Sequence, residues 1–150
     1  MKKGFTLLEL IVVIVILGIL ATLGFTQYNK QVESTRLAEA KIAIGSMRQL
    51  ATEYYWKNGS LTGIQNGDVG ADNTCTSSSY FHYYLGSVYA TGLYLMSARC
   101  TSGGKSPNVT REYIYRAFFK PDTGCQSFRC YYSDDTTTCF GISDPSCPGQ

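Results

Sequence analysis

The chain is poor in several kinds of residue that enzymes and nucleic-acid binders need. It has one histidine, His82, and four prolines in 150 residues, and its six cysteines show no C-x-x-C pair. Without that pairing or a second histidine, the common zinc and iron–sulfur ligand patterns are missing. There is no G-x-S-x-G elbow to give His82 a nucleophile, no Walker loop and no dinucleotide fingerprint, so the expectation is no enzyme and no cofactor. Asp68 and Asp72 lie in a polar loop but lack the spacing and closing glutamate of a calcium-binding EF-hand, and no metal site is expected. An excess of positive charge is absent too. The formal net charge of +2 belongs to Lys2 and Lys3, and the rest of the chain carries equal numbers of each sign. Nothing in it supports nucleic acid as a partner, although folding could bring Arg99, Lys105, Arg111 and Arg129 together.

What the chain does have is a long apolar run at its start. From Leu10 to Asn29 there are 20 uncharged residues in a row, most of them aliphatic. As a helix they reach about 30 Å, the thickness of a bilayer core. Lys2 and Lys3 in front of the run favour a cytoplasmic N-terminus with the remainder outside. A cleaved secretory signal would have a shorter apolar core and a small-x-small site, and here the run passes into a helical pattern instead. A plain anchor accounts for everything except Glu9, a carboxylate at the edge of the apolar run, where a retained charge suggests a function.

The stretch KGFTLLELIVVIVILGILA resembles the N-terminal signature of type IV pilins and the related pseudopilins. The resemblance is strong over about 25 residues and weak beyond. It implies cleavage by a prepilin peptidase between Gly4 and Phe5, N-methylation of Phe5, and a role for Glu9 in assembly. An unpaired carboxylate among packed apolar helices costs several kcal/mol, and the Phe5 amine of a neighbouring subunit would offset it. Many relatives have a proline near the position of Thr26; this chain has none between Phe5 and Tyr55. Gly18 and Gly24 are the only weak points for local unwinding, or two sites of close helix packing.

Beyond the run, Leu37, Ala40, Ile44, Met47, Ala51 and Tyr54 recur at steps of three and four, one face of an amphipathic helix. Glu33–Arg36, Arg36–Glu39 and Glu53–Lys57 have helix-supporting spacings. Asn58-Gly59 is a stop signal, so one helix is expected over about 5–57. Its outer part should form a spine for a sheet, with Trp56 as a sheet-packing aromatic. Residues 59–79 are rich in turn formers and read as a long loop. YFHYYL fits a strand or a short helix, with Gly86 and Gly92 dividing the segment from Leu93–Cys100, a strand. Strands are also expected over 112–120, 127–132 and 138–142. Most of the 12 tyrosines are read as packing residues. Asn58-Gly59-Ser60 and Asn108-Val109-Thr110 match the N-glycosylation triplet.

The expected fold is therefore α+β, a long N-terminal helix packed on a three- or four-stranded antiparallel sheet. It divides into a leader (1–4), a transmembrane or filament-core helix (5–29), an amphipathic half (30–57) and a globular head (58–150). Cys75, Cys100, Cys125, Cys130, Cys139 and Cys147 all lie in the head and read as oxidised pairs formed outside the cytosol. Cys125 and Cys130 are near enough in sequence to close a small loop, and Cys139 and Cys147 to close the tail, but sequence does not choose the pairing. The resemblance implies a pilus subunit that waits in the inner membrane and then joins an extracellular filament. Its partners would be further copies of the chain, the prepilin peptidase and an inner-membrane assembly platform. Adhesion and motility are roles of such filaments. A type II secretion pseudopilin, a minor pilin and a membrane-tethered adhesion module are the alternatives.

Overall fold

The computed structural model describes residues 6–107 and 113–132. Gly4, Phe5, Asn108, Arg111, Cys139, Cys147 and the strand expected over 138–142 lie outside the described residues. The chain divides into two units, residues 1–35 and 36–150.

Helix α1 runs Leu7–Asn58 and continues through Gly18 and Gly24 without a break. It stops where the sequence signal placed the stop. Gly59 takes φ 72°, a left-handed conformation that an L side chain resists, and its N–H bonds the Tyr55 carbonyl at 2.7 Å.

In the first unit the described apolar side chains of α1 are exposed: Leu7 is 76% exposed, Ile14 57% and Leu20 59%. The second unit is the head, where the opposite holds. Leu37, Ala40, Ile44, Met47 and Ala51 are at most 2% exposed. They share one core with Phe81, Leu93, Leu95, Tyr115, Ala117 and Phe119 of the sheet. Each fully buried aliphatic side chain stabilises the head by about 1.5–3 kcal/mol. Tyr54 is packed against this core, but Trp56 is not a sheet-packing aromatic. It is 71% exposed, with its ring edge-on to Tyr55, because position 56 falls off the 3–4 spacing that Ala51 and Tyr54 continue.

Four strands form the sheet: β1 (Phe81–Tyr89), β2 (Gly92–Arg99), β3 (Tyr113–Lys120) and β4 (Cys125–Tyr132). They are antiparallel and ordered as in the sequence. YFHYYL is strand, and Gly86 does not divide it; the strand runs on through an irregularity between Leu85 and Val88, and the chain turns only at Ala90-Thr91. Odd residues of β2 and β3, such as Leu93, Leu95, Tyr115 and Phe119, are buried toward the core. On β3 and β2, Phe118 and Tyr94 are paired neighbours with ring centroids 4.8 Å apart.

The loop before β1 holds more structure than its composition suggests. Leu61, Ile64 and Val69 are buried, and Asn66–Val69 forms a 3-10 turn. This loop also lies along the outer edge of β1. The Asp72 carbonyl accepts the Tyr83 N–H at 2.7 Å and the Asn66 side chain accepts the Leu85 N–H at 2.8 Å. Glu39 of α1 closes the same edge further up, where Oε1 accepts the Tyr80 N–H at 3.1 Å and the Tyr83 hydroxyl at 3.3 Å. Burial, and then the charge and hydrogen bond of Glu39, push the Tyr83 hydroxyl well above the usual tyrosine range.

Candidate functional site

The first candidate site is the start of α1. Thr6 precedes the first helical residue and Glu9 stands three positions later, the T-x-x-E arrangement of a capping box. Glu9 Oε2 accepts the Thr6 N–H at 3.0 Å and the Thr6 hydroxyl at 2.8 Å. In return the Glu9 N–H donates to Thr6 Oγ1 at 3.3 Å. Two amide groups that a helix start leaves without partners are thereby satisfied, and a negative charge sits at the positive end of the helix dipole. Glu9 thus has a structural role within its own chain. The sequence reading missed this role because it treated Glu9 only as a charge in an apolar run, although the T-x-x-E spacing was there to be read. The box uses one carboxylate oxygen, so a second group can still approach the side chain.

The second candidate cluster surrounds a disulfide. Cys75, in the loop, is bonded to Cys100, just past the end of β2, with Cα atoms 5.8 Å apart. The bridge fastens the loop to the end of β2. His82 on β1 brings Nδ1 to 3.3 Å from Cys75 Sγ, and its ring stacks on Tyr84 with centroids 5.7 Å apart. Segment 101–107 folds over the other sulfur. A Cβ at Gly104 would lie 2.4 Å from Cys100 Cβ and 3.0 Å from its Sγ, so only glycine fits there.

Arg99 holds that segment in place. It is wholly buried, donating from Nη1 to the Tyr80 carbonyl (2.8 Å) and the Cys100 carbonyl (3.4 Å) and from Nη2 to the Ser106 carbonyl (2.7 Å). Its burial removes it from the basic surface group that sequence had assembled with Lys105, Arg111 and Arg129. Three cations lie around the Tyr80 ring: Lys105 at 5.0 Å, Arg36 at 5.2 Å and Arg99 at 5.5 Å from the centroid.

Cys125 and Cys130 are both disulfide-bonded, but not to each other. They stand five positions apart on one extended strand, about 17 Å at a strand's rise, and a bridge tolerates about 7 Å between Cα atoms. The small loop suggested by their spacing is therefore excluded.

The comparisons with known proteins fall on the start of the chain. Residues 1–25 match the family described as the prokaryotic N-terminal methylation motif. A fimbrial protein of Neisseria meningitidis serogroup B is 35% identical over 88 residues, 59% of this chain and 49% of the relative. A type IV major pilin, PilE1 of Neisseria gonorrhoeae, is 37% identical over 59 residues, 39% of this chain and 36% of the relative. The start of the chain is thus similar to that of type IV pilins. The match is partial: this pilin-like chain spans about half or less of the length of these curated relatives. A probable minor fimbrial protein of Dichelobacter nodosus, 35% identical over 81 residues, covers 53% of this chain and 50% of its own. No solved structure matches it. Its α+β fold, with a long N-terminal helix, antiparallel sheet and disulfide, agrees with the expectation from sequence. Among the described residues, no helix is long and apolar enough to cross a membrane.

Proposed function

We propose that this chain is a structural, non-enzymatic subunit of a type IV pilus or related surface filament, packed through its N-terminal helix. The observation that carries this reading is the all-round apolar, uncovered surface of α1 over residues 7–20. A helix apolar on every side is covered by lipid or by other helices. Both covers have a place in the proposal. The subunit waits in the inner membrane after a prepilin peptidase cuts between Gly4 and Phe5, and Phe5 is then methylated. It enters the filament through the assembly platform when neighbouring helices replace lipid.

Glu9 has two successive tasks in this scheme. Within the subunit it caps its own helix through Thr6; in the filament it also receives the Phe5 amine of the next copy. The two tasks can be separated chemically. Glutamine at position 9 preserves the capping box but removes the charge, whereas alanine removes both. Filaments sheared from cells should contain this chain as their main component. Glu9→Gln and Glu9→Ala should both enter the membrane and both fail to appear in the sheared fraction. Normal filament yield from Glu9→Gln would reduce Glu9 to a helix cap. A wild-type chain that stays in the envelope and is missing from sheared filaments would point instead to a secretion pseudopilin or a tethered module. The relatives named above include both a major pilin and a probable minor fimbrial protein, and the abundance of the chain in the sheared fraction distinguishes those roles.

A further inference from the structure

The proposed packing role rests on α1 and leaves the cluster around the disulfide without a function. Cys75 Sγ, Cys100 Sγ and a His82 ring nitrogen lie within 4.8 Å of one another. While the bridge is closed, the sulfurs are weak ligands and the cluster is structural. We propose that opening this bridge converts the cluster into a Cys2His site for a thiophilic dication of the zinc class.

The chemistry balances as two steps. A dithiol reductant supplies two electrons and two protons, its own sulfurs closing into a disulfide as the Cys75–Cys100 bond breaks to two thiols. The dication then displaces both thiol protons and takes the neutral His82 ring nitrogen as its third ligand. Three protein ligands leave a fourth position for water.

The placement of the three groups suits this site. His82 stands on β1 opposite Ala98 of β2, and Cys100 follows the end of β2 one residue beyond Arg99, which pairs with Phe81. Cys75 comes from the loop and is only partly buried, so it can shift while the other two remain in place. In a tetrahedral site with bonds of about 2.3 Å to sulfur and 2.0 Å to nitrogen, the sulfur–nitrogen edge is about 3.5 Å. Cys75 Sγ and His82 Nδ1 are already 3.3 Å apart. The stack on Tyr84 limits rotation of the imidazole, and Gly104 shields Cys100 Sγ on one side. The buried Arg99 guanidinium, bonded to the Cys100 carbonyl, disfavours a bare cation nearby. Two thiolates neutralise the dication, which makes the thiolate pair the fitting ligand set.

The test uses the full chain in detergent micelles, reduced with a phosphine under nitrogen and titrated with cobalt(II) as a spectroscopic stand-in for zinc. The reduced wild type should show thiolate-to-cobalt charge transfer and tetrahedral d–d bands. His82→Gln and Cys75→Ser should each lose one equivalent of bound cobalt, and the oxidised wild type should bind none at the cluster. Equal cobalt stoichiometry and affinity in His82→Gln would overturn the proposal. Should either variant fold poorly, alkylation of the reduced wild type decides: zinc should protect Cys100 from iodoacetamide, and equal labelling with and without zinc would likewise overturn it.

Discussion

Two stretches of one helix treat their apolar side chains in opposite ways. Over residues 7–20 aliphatic side chains occupy every side of α1 and none is covered; over residues 37–51 Leu37, Ala40, Ile44, Met47 and Ala51 line one side and are buried, while Ile42 and Leu50 lie off it and stay exposed. Composition alone would rank the first stretch as the better core. The difference shows that a residue's hydrophobicity states a need for cover, while its periodicity states whether the same chain supplies it. One-sided spacing is met by the chain's own sheet, and all-round spacing calls for lipid or other copies.

The comparison can be broken by matched substitutions. Ile44→Ala should destabilise the head by about 2–5 kcal/mol, since it leaves a cavity in a packed core. Ile14→Ala should leave thermal melting of the head unchanged in the full chain in detergent, and equal losses in the two variants would end the distinction. Next in size is the bridge that pins the loop to the sheet. Replacing Cys75 and Cys100 together by serine opens a loop with a sequence separation of 25 and should cost about 3 kcal/mol, seen as a lower denaturation midpoint.

A smaller effect tests the Glu39 contact. Burial and Glu39 keep Tyr83 protonated in the fold at pH values where the unfolded chain ionises it. The stabilisation is complete below about pH 10 and is lost as pH rises beyond that, because the unfolded state then releases the proton more readily. Tyr83→Phe should therefore be about 1 kcal/mol less stable than wild type at neutral pH. Denaturant titrations should show that gap shrinking above about pH 10, and a gap that widens would refute the contact. The smallest effect concerns Ser97, whose hydroxyl is the only buried side-chain polar atom without a hydrogen-bond partner among the described residues. Ser97→Ala should be neutral or up to about 1 kcal/mol stabilising by the same titration.

Most of the architecture was legible because it is carried by repeating patterns. The Leu37-to-Tyr54 spacing showed the buried face, Asn58-Gly59 showed the stop, and EYIYRAFFK followed by Pro-Asp-Thr-Gly showed a strand and its turn. The errors occurred where a single residue's environment decides the outcome. Trp56 was read by its size, and the position it occupies on the helix turned it outward. Cys125 and Cys130 were read by their separation along the chain, and an extended strand holds them apart. The buried Leu61, Ile64 and Val69 lacked any periodic signal amid turn formers. At the candidate sites, Glu9 was identified but its capping partner was not. His82 was noted only as a histidine without a nucleophile motif, and nothing in the sequence put Cys75 beside it, since that contact depends on how the loop is bridged to the sheet.

The covered edge of β1 has a consequence for how the chain behaves at high local concentration. An open edge strand is a template on which another copy can add by backbone pairing, and such pairing propagates without limit. Here the Asp72 carbonyl and the Asn66 side chain already occupy the outward N–H groups of Tyr83 and Leu85. On that side, crowding does not find free N–H groups at Tyr83 and Leu85 on which a neighbouring sheet could add.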